Sequence, residues 1–280
     1  MSVLFMRFPG GKSKAVTLSY DDGVEQDKRL IEIMKKNGLK GTFNLNGGSF
    51  AKEGIVYPKG TIHRRMTQAE CIELYTESGM EVATHGFTHP YLEKLSNGRC
   101  TYEIMEDRRR LEDVFHRIIR GHAYPYGAYN DQVVRCLEHC EIAYARTVES
   151  TRDFDIPNDW LRLKPTCHHK DPLLDELTDR FVCDKTFHEP WLFYLWGHSY
   201  EFDQDDNWDV IERFAQKTGD CEEIWYATNI EIFDYVQAYK RLEYSVDGKR
   251  VHNPTAVTLY FAINKVEDYK VEPGETIEVD

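Results

Sequence analysis

The sequence predicts an α/β fold, a distorted barrel of about seven parallel strands followed by a small C-terminal β extension. From residue 14 to about 240, apolar stretches alternate with amphipathic stretches of helical period, which is typical of repeated strand–helix units. Beyond residue 240, short strand-like runs are separated by turns such as Asp247-Gly248 and Pro273-Gly274. We therefore divide the chain into a barrel over residues 1–240 and a β-rich extension over residues 241–280.

Each predicted strand is an apolar run, and each predicted helix places apolar residues three and four positions apart on one face. The predicted strands cover residues 15–20, 40–45, 81–84, 118–123, 142–148, 192–196 and 224–228. The predicted helices cover residues 26–37, 67–79, 102–119, 131–140, 171–183, 208–217 and 230–240. Thr67 and Glu70 form the pattern of a capping box at the start of the second helix. A barrel of parallel strands carries its active site at the carboxyl ends of the strands, so the residues that follow each strand are the functional candidates.

Composition excludes several classes of function. The 280 residues carry a formal net charge of −13, which argues against non-specific binding to nucleic acid or anionic membranes. No apolar run approaches the roughly eighteen residues of a membrane-spanning helix. Residues 1–9 include Arg7 and lack an apolar core with a cleavage site, so we expect no secretory signal there. The seven scattered cysteines contain no C-x-x-C pair, which favours reduced thiols in a cytoplasmic protein.

Carboxylates and imidazoles follow three of the predicted strands. Asp21 and Asp22 close the first strand, His85 and His89 follow the strand over 81–84, and His198 follows the strand over 192–196. Two neutral imidazoles and one carboxylate leave an open position on a divalent metal, and a second carboxylate can act as a base. Each piece alone has a structural explanation, since Asp-Asp-Gly often forms a turn and a His-x-x-x-His pair often lies on a helix. Their joint placement at strand ends favours the catalytic interpretation.

Four short motifs carry a resemblance to a known family. Residues 19–23 read Ser-Tyr-Asp-Asp-Gly, residues 85–89 read His-Gly-Phe-Thr-His, residues 123–127 read Ala-Tyr-Pro-Tyr-Gly, and residues 195–198 read Leu-Trp-Gly-His. In order and spacing the chain resembles the polysaccharide deacetylases, the NodB-homology group of carbohydrate esterase family four. The resemblance implies a NodB-like barrel and hydrolysis of acetyl groups on N- or O-acetylated saccharides.

The resemblance also implies a set of site residues and a cofactor. It assigns Asp22, His85 and His89 to a divalent metal ion, Asp21 to the general base, His198 to the general acid and the backbone N–H of Tyr126 to the oxyanion. Zinc is the expected ion, and cobalt, nickel, manganese and iron are the alternatives. We also predict that Tyr124, Trp160 and Arg162 contact the substrate, because aromatic faces suit the apolar faces of sugar rings.

The match to the family departs at two positions. Ala123 stands where many relatives carry the arginine that pairs with the base, and Arg146 and Arg162 are the candidates to replace it. The aspartate that assists the acid histidine in the family has no clear counterpart, although Asp159 beside Trp160 is one hypothesis. Without a neighbouring cation, Asp21 would be harder to keep ionised.

Three functional hypotheses remain open on the sequence. The first is a metal-dependent deacetylase of an acetylated oligosaccharide or sugar conjugate. The second is hydrolysis of another C–N bond, as in the allantoinase-like and cyclic-imidase branches of the same superfamily. The third is a sugar-binding pseudoenzyme that keeps the metal without turnover, which Ala123 supports. The β extension is a candidate contact surface for a homo-oligomer.

Overall fold

The computed structural model describes residues 4–186, 189–263 and 267–279. Eight parallel strands form its central sheet. In hydrogen-bonded order these are Tyr144–Arg146, Gly121–Ala123, Glu81–Thr84, Gly41–Leu45, Lys14–Asp21, Trp191–Gly197 and Cys167–His168, while Ile224–Tyr226 pairs with the first half of Lys14–Asp21. Because Cys167–His168 has only two residues, seven longer strands remain. The prediction of a distorted α/β barrel of about seven parallel strands is therefore confirmed.

The sheet curls so that its two edges approach each other through one connecting segment. The backbone N–H of Leu163 donates to Ala145 in one edge strand, at 2.9 Å. Three residues later, the N–H of Thr166 donates to Tyr194 in the strand Trp191–Gly197, also at 2.9 Å. The carboxyl ends of strands that are far apart in sequence consequently surround one common space.

Helices connect successive strands. In the described residues they are Asp27–Lys36, Gln68–Thr76, Asn97–Phe115, Asp131–His139, Leu174–Cys183, Tyr200–Gln204, Trp208–Thr218 and Asn229–Tyr239. The predicted capping box of Thr67 and Glu70 is present at the start of the second helix. The third helix was placed wrongly over 102–119, because it ends at Phe115, after which His116 adopts a left-handed conformation with φ 52°. Ile118, which we expected in a strand, is 79% exposed.

The strand Lys14–Asp21 shows how the barrel orients the site. Every residue of this strand is buried. Its apolar members Val16, Leu18 and Tyr20 belong to the core that packs against the helices. The alternate residues Thr17, Ser19 and Asp21 point the other way, because successive side chains of a strand face opposite sides. There they hydrogen-bond to Asn229, Asn44 and Asn44 respectively, so the barrel interior is polar at this strand.

The residues after 240 form two small antiparallel sheets. One contains Glu243–Tyr244, Arg250–His252 and Thr276–Glu278, and the other contains Leu4–Arg7, Leu259–Ile263 and Glu267–Val271. The N-terminal strand Leu4–Arg7 therefore pairs with the C-terminal region, which the sequence did not indicate. Buried Leu259 and Phe261 pack in one cluster with Phe8 and Tyr235. Within the described ranges, no helix has the length and apolar character that a membrane crossing requires.

Candidate active site

The first strand ends in a backbone distortion that turns two adjacent carboxylates toward one cavity. Asp21 is the last residue of the strand, and Asp22 and Gly23 have φ values of 83° and 65°. The left-handed conformation of Asp22 breaks the strand alternation that would otherwise send the two side chains to opposite faces. The cavity has a volume of about 580 Å³. Its lining consists of Asp21, Asp22, His63, Arg65, His85, His89, Tyr124, Tyr126, Gly127, Val148, Trp196, His198 and Tyr200.

Three of the lining residues can bind one metal ion. Asp22, His85 and His89 each offer a ligand atom, and these atoms lie within 4.8 Å of one another. The Nε2 atoms of the two histidines face each other at 3.2 Å. The Nδ1 atom of His85 lies 2.8 Å from the carbonyl oxygen of Ala123 and must therefore donate its proton there, which leaves the Nε2 lone pair free. His85 is thus held in the tautomer that a metal ligand requires.

The electrostatics of this triad favour metal binding. Burial lowers the pKa of His85 and lowers that of His89 to about 4, so both imidazoles are neutral near pH 7. Two neutral rings facing each other can share only one proton between their Nε2 atoms, whereas a metal ion would satisfy both lone pairs. The donor set of one carboxylate and two imidazoles suits zinc or a similar divalent ion. The residues present therefore fit the group that the resemblance implies.

A loop that the sequence analysis did not select supports Asp22. Arg65 donates to Asp22 Oδ1 at 2.9 Å and to the Asp22 backbone oxygen at 3.0 Å. The Nε2 atom of His63 lies 3.1 Å from Asp22 Oδ2. Burial alone would raise the pKa of Asp22, but His63, His85 and Arg65 hold it well below the ordinary value. Each carboxylate oxygen keeps a second lone pair, so these contacts leave Asp22 able to bind a metal.

Asp21 is paired with the arginine that the third motif lacks. Arg146, on the edge strand Tyr144–Arg146, donates to Oδ1 of Asp21 at 2.6 Å and also contacts Oδ2. Its guanidinium lies 4.3 Å from the ring centroid of Trp196, and Asn44 donates to Asp21 Oδ1 at 2.8 Å. Burial raises the pKa of Asp21, but Arg146, His85 and His198 together outweigh burial, and the net pKa is lowered. Of the two candidate arginines, Arg146 rather than Arg162 contacts Asp21.

His198 faces Asp21 with one ring nitrogen and a glutamate with the other. Its Nε2 atom lies 3.8 Å from Asp21 Oδ2, and its Nδ1 atom lies 3.3 Å from Glu201 Oε2. Burial lowers the pKa of His198, but the hydrogen bond to Glu201 and the charges of Asp21 and Asp22 raise it above the ordinary value overall. His198 can therefore carry a proton at neutral pH.

Tyr126 lies on the cavity wall in a constrained turn. It has a left-handed backbone with φ 58°, and Gly127 follows with φ 67°. Its side chain is 55% exposed and stacks on Tyr91, with ring centroids 4.1 Å apart and an interplanar angle of 12°. The imidazole of His89 packs edge-on against the Tyr126 ring, with the two ring centroids 4.4 Å apart. This turn thus places Tyr126 beside His89 in the wall of the cavity.

The three residues predicted to contact substrate are placed less favourably. Tyr124 lines the cavity but is buried, and its hydroxyl donates to the Leu161 carbonyl at 2.6 Å. Trp160 is buried against Phe233. Arg162 bonds to Asp159 and Asp131 and lines a separate cavity of about 680 Å³. Contact with a substrate by these residues stays a prediction.

Sequence reasoning missed Arg65, His63 and Glu201. Arg65 and His63 lie in an irregular connection between residues 46 and 67, where no periodicity marks side-chain direction. Glu201 could have been found, because it follows His198 by three residues at the start of a helix, and such a spacing places both side chains on one face.

Comparison with known proteins agrees with this architecture. Residues 9–145 match the family described as polysaccharide deacetylase. Chitin deacetylase of Arthroderma benhamiae is 27% identical over 146 residues, which are 50% of this chain and 35% of that protein. Peptidoglycan-N-acetylglucosamine deacetylase PgdA of Listeria monocytogenes is 26% identical over 135 residues, which are 47% of this chain and 26% of that protein. The chain thus spans about a third or less of the length of these two relatives.

A solved structure shows the same fold over most of the chain. The Mycobacterium smegmatis protein, whose name assigns it provisionally to the polysaccharide deacetylases, aligns with a TM-score of 0.57 at 17% sequence identity. The alignment covers 86% of this chain and 96% of that one. At this identity the likeness concerns the fold alone.

Proposed function

Because this chain belongs to the NodB-type polysaccharide deacetylase superfamily, we propose that it is a metal-dependent hydrolase that removes acetyl groups from N- or O-acetylated saccharides. One observation carries the proposal. The ligand atoms of Asp22, His85 and His89 converge beside Asp21, a buried carboxylate that forms an ion pair with Arg146. The packing of the barrel does not require two carboxylates and two imidazoles at this place.

The proposed chemistry assigns one task to each group. A divalent ion, with zinc expected, would when bound acidify a water molecule and polarise the acetyl carbonyl. Asp21 is ionised and takes the proton of the attacking water. His198 presents its Nε2 atom on the Asp21 side and donates a proton to the departing amine or hydroxyl. The Tyr126 backbone N–H donates to the oxyanion of the tetrahedral intermediate. The products are acetate and the free amine or hydroxyl of the sugar.

The pairing of Arg146 with Asp21 favours hydrolysis over the pseudoenzyme hypothesis. That hypothesis drew on Ala123, which left the base without a visible cation. The guanidinium now comes from the strand Tyr144–Arg146, so the base keeps its charge partner although the motif has changed. Activity on cyclic imides is the outcome that would favour the other C–N hydrolases.

The substrate and location are narrower proposals. We propose an acetylated oligosaccharide or sugar conjugate as the substrate and the cytoplasm as the location, supported by seven free thiols. Subcellular fractionation, followed by detection of the protein with a specific antibody, tests the location. A homo-oligomer through the residues after 240 is tested by light scattering of the purified chain.

Metal content and acetate release together test the proposed function. The protein is purified, its bound metal is measured, and acetate is assayed with acetylated chito-oligosaccharides and acetylated xylo-oligosaccharides with and without added zinc or cobalt. We expect close to one metal ion per chain and release of acetate that depends on the metal. If the protein binds metal but opens the rings of cyclic imides instead of releasing acetate, its substrates are imides and not acetylated sugars. If it binds no metal even after reconstitution, the proposed mechanism is overturned.

A further inference from the structure

A second cluster of imidazoles surrounds Glu201 on the far side of His198. The Nε2 atoms of His168 and His169 lie 3.2 and 3.3 Å from Glu201 Oε2, the oxygen that also contacts His198 Nδ1. The ammonium group of Lys170 lies 3.0 Å from the other oxygen, Oε1. The side chains of three consecutive residues, 168–170, and that of His198 thus surround the carboxylate of Glu201. His169 is buried.

The protonation of His168 decides what this cluster can do. Its Nδ1 atom accepts the backbone N–H of Lys170 at 3.1 Å, so in the neutral ring the proton must be on Nε2, facing Glu201. A ring nitrogen that carries a proton cannot bind a metal ion. Lys170 already supplies a positive charge to the carboxylate. The cluster is therefore a set of donors around an anion rather than a second metal site.

The anchoring of Glu201 from several sides limits how far its carboxylate can move. The short helix Tyr200–Gln204 carries it, and the backbone N–H of His198 donates to Oε2 at 3.3 Å. Lys170 is itself held by Asp205, at 2.7 Å. Burial would raise the pKa of Glu201, but the surrounding imidazoles hold it far below the ordinary value. Glu201 is thus a fixed anion aimed at Nδ1 of His198.

We propose that Glu201, braced by His168 and Lys170, is a positioning residue that keeps a proton on Nδ1 of His198 and so presents Nε2 to Asp21 and the reacting group. This inference deepens the proposed hydrolase function and rests on it for its kinetic consequences. Glu201 lies on the helix that begins two residues after His198, whereas Asp159 bonds to Arg162 at 2.8 Å.

The tautomer of His198 can be measured without any substrate. The ring nitrogens of ¹⁵N-histidine-labelled protein are observed by NMR in the zinc-loaded wild-type protein, and the His198 signals are assigned by their loss in His198→Asn. We expect neutral His198 to carry its proton on Nδ1. A proton on Nε2, or exchange between the two nitrogens, would overturn the inference. This result stands whether or not acetate release is found, so it separates the inference from the proposed function.

Kinetics test the consequence with three substitutions. We expect Glu201→Ala to lower kcat on an acetylated sugar by about 100-fold with little change in KM, because acid catalysis contributes about 10²- to 10⁴-fold. On an aryl acetate, whose leaving group needs no proton, the same variant should lose less than about threefold. Glu201→Gln keeps an oxygen that accepts from Nδ1 and should recover most of the rate. Asp203→Asn is the matched control and should leave the rate unchanged, because this carboxylate lies on the same helix but bonds to Gln26 and Trp208 rather than to His198.

Equal losses on the two substrates would indicate general damage to the site and overturn the positioning role. Unchanged activity of Glu201→Ala on the sugar would overturn it as well. If Glu201→Ala does not fold, the wild-type tautomer and the Glu201→Gln rates still decide the question.

Discussion

Two clusters, each of one carboxylate and two histidines, lie on either side of Asp21, and their hydrogen bonds suit different chemistry. One contains Asp22, His85 and His89, and the other contains Glu201, His168 and His198. In each group the candidate ligand atoms lie within 4.8 Å of one another. Residue identity and spacing therefore do not distinguish them.

The partner of the other ring nitrogen distinguishes them. His85 donates from Nδ1 to the Ala123 carbonyl, so its Nε2 lone pair points into the cavity. His168 instead accepts a backbone N–H at Nδ1, so its Nε2 atom carries the proton. The first cluster can bind a cation and the second can stabilise an anion. A hydrogen bond to the backbone, remote from the chemistry, thus decides whether a histidine is a ligand or a donor.

The largest expected effect comes from the first cluster. We expect His85→Ala or His89→Ala to lose the bound metal and more than about a thousandfold of the activity, because the metal activates the water. The fold should persist, as judged by circular dichroism. Metal analysis of the purified variants is the measurement. His168→Ala is the matched histidine of the second cluster and should keep its metal, and equal metal loss in both clusters would break the comparison.

The next effect concerns the ion pair between the clusters. Arg146→Ala leaves Asp21 buried without its cation, and we expect about 3–5 kcal/mol loss in the free energy of unfolding. In the wild type the lowered pKa of Asp21 stabilises the fold above the unfolded value of about 3.9, and this stabilisation is lost as the pH falls through the folded value. Urea unfolding at several pH values measures both. Arg162→Ala, the other candidate arginine, should cost less than about 1 kcal/mol because its contacts are exposed.

A smaller effect is expected in the pH dependence of the metal-free protein. The pKa of His89 is about 4 in the folded chain and about 6.5 when unfolded, so the unfolded state binds the proton first as the pH falls. The free energy of unfolding should drop between pH 6.5 and 4, with His89 contributing about 1 kcal/mol given its partial exposure. His89→Asn should flatten the curve by that amount. His169, which lies beside the second cluster, also has a pKa lowered to about 4, so some pH dependence should remain. An unchanged curve in His89→Asn would contradict the assigned shift.

The smallest expected effect tests whether Glu201 or Asp159 is the carboxylate that assists His198. Because Asp159 bonds to Arg162 outside the cavity, we expect Asp159→Ala to keep the sugar deacetylation rate within about twofold and the stability within about 0.5 kcal/mol. Steady-state rates and thermal unfolding check this. A large loss of activity in this variant would show that Asp159 reaches the site and would weaken the role given to Glu201.

Much of the fold and part of the site could be predicted because they depend on local pattern. Apolar runs and helical periodicity located the strands, and parallel strands bring their carboxyl ends together. That argument placed Asp21, Asp22, His85, His89 and His198 in one region, where the structure also has them. Helix ends were less predictable, since the stop after Phe115 depends on a single left-handed residue rather than on a recurring pattern.

The partners of those residues could not be predicted from local pattern. Arg146 meets Asp21 across 125 positions of sequence, and Arg65 meets Asp22 across 43. Tyr124 and Trp160 look like sugar-binding aromatics in sequence, but burial is a property of the packed chain.

The sequence by itself determined the class of fold and the residue types at the carboxyl ends of the strands, because strand and helix periods are local properties of the chain. Only the tertiary structure decided which arginine pairs with Asp21, which carboxylate serves His198, and which histidines keep a free lone pair. Each of these depends on the hydrogen-bond geometry between segments that meet only after the barrel has closed around them.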